Sequence, residues 1–131
     1  MSPSIYLWIA AGSALGGVLR YLVSGWAARA FGISFPWGTL IINVTGCAFI
    51  GLFATLTSTD GRVLVGSNVR QFVMVGICGG FTTFSTFSLE TLNLARDGQW
   101  TRVAANAVGS VLFCLAGVWL GHIAANAINE R

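Results

Sequence analysis

Residues 103–129 contain no Asp, Glu, Lys or Arg. That uncharged stretch is longer than the ~20 apolar residues a helix needs to cross a bilayer. The same pattern recurs upstream. Charges and turn residues set off further apolar stretches at residues 4–26, 36–56 and 70–94, and the last span is expected over 101–127. The connections are short: a Gly, Ser and aromatic stretch at 31–35, a polar loop at 57–68, and a tight Arg96-Asp97-Gly98-Gln99 turn. Pro36 suits a helix first turn. Trp8, Trp26, Trp37 and Trp100 fall near predicted helix ends, where interfacial aromatic belts lie. The pattern predicts an all-α membrane protein, one transmembrane domain of four helices over residues 1–131.

Composition narrows the function. Only 8% of residues are charged and the mean hydropathy is +0.77, against roughly 25% charged residues in soluble domains. The net charge of +3 comes from scattered arginines with no basic run, so no nucleic-acid partner is expected. Cys47, Cys78 and Cys114 are widely spaced in apolar stretches and read as small buried hydrophobes. His122 is the one histidine, so metal chemistry on nitrogen or sulfur is not expected. No nucleophile–base pair stands out, and the chain is not expected to be an enzyme. Ala28-Arg29-Ala30 resembles a signal-peptide cleavage site, but no positive side chain opens the N-terminus and Arg20 interrupts the apolar run. The first span is therefore expected to remain as a membrane helix.

Small residues mark helix contacts. Gly12 with Gly16, and Gly117 with Gly121, form GxxxG pairs, and Gly46 and Gly51 continue the theme in the second span. Such residues let backbones approach closely in lipid. Four short helices enclose a polar path poorly, so a pore calls for more than one subunit. With four spans, Arg62, Arg70 and Arg131 fall on one side, and Arg29, Arg96 and Arg102 on the other. So even a balance gives the positive-inside rule little to act on. It is compatible with one orientation fixed by other factors, or with copies that insert both ways and pair antiparallel.

The third span holds the anomaly: Gly79-Gly80-Phe81-Thr82-Thr83-Phe84-Ser85-Thr86-Phe87-Ser88. Five hydroxyls and a Gly-Gly pair do not suit a helix that merely sits in lipid. Irregular backbone at membrane depth persists where protein buries it or where it lines a wet cavity. Other polar residues fall into stripes at helical spacing. Thr39, Asn43 and Gly46/Cys47 share a face of the second span, and Asn106, Ser110, Cys114, Gly117 and Gly121 share one of the fourth. Gly12, Gly16 and Arg20 align in the first, which turns Arg20 toward protein or a vestibule. An arginine facing hydrocarbon costs at least about 2.5 kcal/mol at mid-membrane. The stripes offer amide and hydroxyl donors and the partly positive edges of phenyl rings, with no carboxylate at mid-membrane. That chemistry favours a small anion over a cation.

With these motifs in place, the chain resembles the Fluc, or CrcB, family of small fluoride channels. The resemblance rests on the 79–88 run followed by Glu90, on Trp37-Gly38-Thr39-Leu40 leading to Asn43, on Gly16 to Arg20, and on Gly109-Ser110. It covers nearly the whole chain. It implies an antiparallel, dual-topology homodimer in the bacterial inner membrane, with a third helix broken near its centre. It further implies two pores that export fluoride passively. Phe84 and Phe87 match a pair of rings whose edges face fluoride, and Asn43 a pore-lining asparagine. Thr83, Thr86 and Ser110 match hydroxyls along the path, Asn106 a variable pore-facing position, and Arg20 a vestibule arginine. Gly79 and Thr82 match positions whose backbone carbonyls hold a structural sodium ion (Na+). Phe81 stands where the family often has leucine and is not counted among the pore rings. The partners implied are a second copy of the chain, fluoride and the lipid bilayer.

Two alternatives stand beside this reading. A small dual-topology multidrug transporter would want an acidic residue in the first span, and residues 5–19 have none. A membrane assembly factor would explain the glycines but not the hydroxyl and Phe run.

Overall fold

The computed structural model describes residues 4–130. Helix α1 spans Ser4–Phe31 and α2 spans Trp37–Leu56. The third membrane segment is composite. It runs through α3 (Ser67–Gln71), a π-helical stretch at Phe72–Cys78, the single turn α4 (Gly79–Phe81) and then α5 (Phe84–Arg96). Helix α6 covers Trp100–Asn129. Four segments, Ser4–Phe31, Trp37–Leu56, Ser67–Arg96 and Trp100–Asn129, are long and apolar enough to cross a membrane.

The ends follow local chemistry. Helix α1 extends past the expected Trp26 because Ala27, Ala28 and Ala30 sustain it. It stops at Gly32, whose φ of +78° suits a left-handed helix terminus, and whose N–H bonds the Ala28 carbonyl at 3.0 Å. Pro36 precedes α2 and accepts from the Leu40 N–H at 3.1 Å; it caps the helix rather than sitting in its first turn. Helix α2 closes with the Thr57 hydroxyl donating back to the Phe53 carbonyl at 2.7 Å. The loop before α3 is shorter than expected, because α3 begins at Ser67. Arginines pin this end. Arg70 reaches the Thr57 carbonyl at 2.5 Å and its hydroxyl at 2.8 Å, and Arg62 reaches the Ile128 carbonyl at 3.0 Å. Gly98, with φ +71°, turns α5 into α6.

The core is built from small residues. Gly12, Gly16, Ala27, Gly46, Gly51, Gly76, Gly117, Gly121 and Ala125 are buried. Leu7, Tyr21, Leu112, Trp119 and Leu120 face outward. Lipid is as apolar as leucine, so close backbone packing rather than large-side-chain burial drives helices together. The expected glycine contacts form. A methyl on Gly117 would stand 2.9 Å from the Val44 carbonyl oxygen, and one on Gly121 2.8 Å from the Leu52 nitrogen. Helix α1 lies against the π-helical stretch, with Gly12 facing Gly76 and Gly16 facing Gly80. Trp8 meets Phe72 edge-to-face there at 5.7 Å.

Candidate functional site

The two glycines at 79 and 80 separate two faces of the third segment. Gly80 presses on α1: a methyl there would stand 2.6 Å from the Ser13 carbonyl oxygen. Gly79 is exposed, with open space where a side chain would project. Beyond α4 the backbone extends. Thr82 has φ −79° and ψ 157°, and Thr83 φ −153° and ψ 115°. Thr82 sets its methyl on Gly46 of α2, and the Phe81 ring lies beside the same glycine. Phe81 thus acts in packing.

Extended residues strand peptide groups that a helix would pair, and those groups need partners. Asn43 supplies them. Its Oδ1 accepts from the Thr83 N–H at 2.8 Å, and its Nδ2 donates to the Thr83 carbonyl at 3.0 Å. One N–H of the amide remains available. The Thr82 N–H and hydroxyl both donate to the Cys78 carbonyl, at 2.9 and 2.8 Å. Helix α5 then starts with Thr83 as its cap: its hydroxyl accepts from the Thr86 N–H at 3.2 Å, as N-cap threonines do. The same hydroxyl donates to Thr86 Oγ1 at 3.0 Å and lies 3.2 Å from Ser85 Oγ.

These residues border a cleft of about 470 Å³ between α2, α6 and the third segment. Asn43, Gly79, Thr82, Thr83, Phe84, Phe87 and Ser110 all line it, and no charged side chain does. The Phe84 and Phe87 rings stand 5.2 Å apart, tilted by 42°. Phe87 is buried, whereas Phe84 is 76% exposed on the open side. Such a lining offers the spare Asn43 amide hydrogen and phenyl ring edges to an anion without a fixed charge to trap it, while the Thr82, Thr83 and Ser110 hydroxyls donate within the protein.

Three of the residues named from sequence lie outside the lining. Thr86 stands behind Thr83, bonded to its hydroxyl. Asn106 is fully buried and donates to Thr91 Oγ1 at 2.8 Å, while Ser110 donates to Asn106 Oδ1 at 3.4 Å. Thr91 in turn bonds the Phe87 carbonyl at 2.7 Å. This chain of bonds ties α6 to the helix that carries the rings. Arg20 is half-buried on the glycine face of α1, apart from the cleft.

Sequence reasoning missed two features. Thr91 links α5 to α6, and its position one turn after Phe87 was the available signal. Thr39 is buried and approaches the Glu90 carboxyl, whose Oε2 is buried without a hydrogen-bond partner. Thr39 was placed on the Asn43 stripe, but nothing in the sequence pairs it with Glu90.

Comparison with known proteins shows the family. The family described as CrcB-like protein, Camphor Resistance (CrcB), matches residues 7–122. A protein of Opitutus terrae named "Fluoride-specific ion channel FluC" is 60% identical over 127 residues, covering 97% of this chain and 96% of its own length. Proteins of the same name from Rhodospirillum rubrum and Paramagnetospirillum magneticum are 62% and 63% identical over 125 residues. Each alignment covers 95% of this chain, with 97% and 98% of the respective relative. With a match along nearly its whole length and four segments able to span a bilayer, this chain is a multi-pass membrane protein of the CrcB family.

Proposed function

We propose that this chain is a passive, fluoride-selective channel of the bacterial inner membrane, and not an enzyme. The observation that carries the reading is the uncharged cleft where Asn43, Thr83, Ser110, Phe84 and Phe87 converge, in a chain so similar to proteins named as fluoride-specific channels. Fluoride holds its water tightly, and burying an ion without compensation is very costly. Neutral donors offset that cost while leaving the ion free to move on: the spare Asn43 N–H, and the Thr83 and Ser110 hydroxyls once they turn from Thr86 and Asn106 toward the ion. Hydrogen fluoride is a weak acid that crosses membranes uncharged and dissociates inside. The membrane potential and the resulting gradient then both drive the anion outward, so a passive path suffices for export.

The working unit is an antiparallel homodimer with two pores. One copy offers a cleft open on one side, with Phe84 largely exposed beside it; a second, inverted copy would enclose it. The near-even arginine balance fits insertion in both orientations. A structural Na+ at the break of the third segment completes the reading. Thr83 turns its N–H to Asn43, which leaves the Gly79 carbonyl without the partner a continuous helix would give it. Gly79 also faces open space. Backbone oxygens of this kind suit a hard monovalent cation, and Gly79 and Thr82 would hold it. The ion would supply positive charge to carbonyls that a helix break otherwise leaves unpaired.

Purified protein in fluoride-loaded liposomes tests the function: fluoride efflux well above that of chloride is expected. Its absence from folded protein would sink the proposal. Labelling of single cysteines placed in the loops tests the topology; copies found in one orientation only would defeat the antiparallel dimer.

A further inference from the structure

Three cysteines far apart in sequence meet in the same cleft. Cys47, Cys78 and Cys114 all line it, and all are free. Cys47 follows Asn43 by one turn of α2, and Cys114 follows Ser110 by one turn of α6. The two residues flank the same α2–α6 contact, where Gly117 backs onto Val44 and Ala48, and their thiols are close enough to interact. Both are partly accessible, whereas Cys78 is buried. Read singly, each cysteine is a small core residue. Two adjacent thiols in one accessible cavity form a ligand pair.

We propose that Cys47 and Cys114 form a binding site for soft, two-coordinate metal cations, mercuric ion being the strongest case, and that occupancy of this site obstructs the path through the cleft. The second half of this inference rests on the fluoride-channel reading; the first does not. Two-coordination follows from the donor set. Among the described residues, no group of three or more His, Cys, Asp or Glu converges to hold a metal. That disfavours the closed tetrahedral sites zinc prefers. Soft thiolate donors instead select soft cations. Each thiol gives its proton to buffer as one S–Hg bond forms, so two S–H bonds are replaced by two S–Hg bonds and no electrons are transferred. The bis-thiolate product is neutral, which suits a cleft lined without charged side chains. A complex with net charge would carry a desolvation cost. The site lies about 6 Å along each helix from Asn43 and Ser110, within the same cavity.

The test uses full-length protein in chloride-free buffer with mercuric nitrate. Binding is read by thiolate-to-mercury charge-transfer absorbance and by intact mass, and function by fluoride efflux from liposomes. One mercury per chain is expected, with two thiols protected from a thiol-reactive dye. Efflux should fall to the rate of protein-free liposomes and recover on addition of excess dithiothreitol. Cys47→Ser and Cys114→Ser should each weaken binding by more than the roughly tenfold that a lost supporting contact costs a metal site. Each should also lessen the block relative to that variant's own untreated rate, while Cys78→Ser should retain both. Cys47→Ala gives a second replacement if the serine hydroxyl unsettles the seam. Parent-like binding in the Cys47 and Cys114 variants, or its loss in Cys78→Ser, would overturn the site. Mercury bound at the pair with efflux undiminished would overturn the obstruction. Absence of efflux before any mercury is added would instead strike the channel reading and leave the binding result to decide the site.

Discussion

Helix α2 meets its neighbours in two different ways. Against α6 it is fitted by shape: Gly51 backs onto Val118, and Gly117 and Gly121 back onto Val44, Ala48 and Leu52. A side-chain hydrogen bond joins the two helices at the end of that stretch, between Thr55 Oγ1 and His122 Nδ1 at 2.9 Å, and both helices satisfy their own peptide groups. Against the third segment, α2 is joined by polar pairing. Asn43 takes up both peptide groups of Thr83 where the backbone is extended. One contact tolerates polar change and resists added volume, whereas the other resists polar change. The contrast separates what holds the bundle from what shapes the cleft.

Breaking the polar contact is expected to have the largest effect. Asn43→Ala leaves the Thr83 N–H and carbonyl unpaired, at about 1–3 kcal/mol for each buried group. Fluoride efflux should fall to background, and thermal unfolding in detergent should shift clearly downward. Asn43→Asp keeps an acceptor for the Thr83 N–H but loses the donor to its carbonyl. It also sets a negative charge on the anion path, so efflux should fall as far as in the alanine variant while the retained Thr83 N–H pairing gives a smaller loss of thermal stability. Full efflux in Asn43→Ala would remove this residue from the mechanism.

Crowding the shape-fitted contact comes next. Gly121→Val places carbon against the Ala48 and Leu52 backbone, and overpacking of this kind costs typically about 1–3 kcal/mol. The expected signature is loss of thermal stability, with efflux falling only in step with the folded fraction. A full loss of efflux in protein as stable as the parent would mean that the α2–α6 seam serves permeation directly.

Changes to the rings act on the cleft and spare both contacts. Phe84→Ile and Phe87→Ile should impair fluoride efflux while size-exclusion behaviour stays as in the parent. Phe84 is mostly exposed, so its replacement should cost the single chain little stability, whereas Phe87 is packed. Efflux unchanged in both variants would end the ring-edge argument.

The smallest effect contrasts neighbouring glycines on α1. A methyl on Gly16 would stand 2.8 Å from the Phe81 nitrogen, whereas one on Gly17 would meet nothing within 4 Å. Gly17→Ala should therefore be neutral or stabilising by no more than about 1 kcal/mol, the helix preference of alanine over glycine. Gly16→Ala should lower the unfolding temperature. Equal effects in the two variants would show that the α1 seam is loose.

Much of this architecture was legible in the chain. The apolar stretches gave the four spans, because crossing a bilayer demands a fixed length of uncharged helix. The expected ends differed from the observed ones by a few residues where α1 ran on through its alanines and where α3 began at Ser67. The stripe of Asn106, Ser110, Cys114, Gly117 and Gly121 was readable from helical period alone; all are buried except Cys114, which is half-buried. The π-helical stretch at Phe72–Cys78 was not legible. It forms where Gly76 must pass Gly12, and a glycine in an apolar run does not announce which helix it will touch.

The sequence by itself determined that this is a membrane chain of four spans with hydroxyls, glycines and phenylalanines concentrated in the third, because hydropathy and helical period are local properties. Tertiary structure decided which polar groups answer one another. It gave Asn43 to the Thr83 peptide, turned Asn106 toward Thr91 and away from the cleft, and brought Cys47 beside Cys114. Those pairings join residues many positions apart, and only the packing of one helix on another fixes which of them meet.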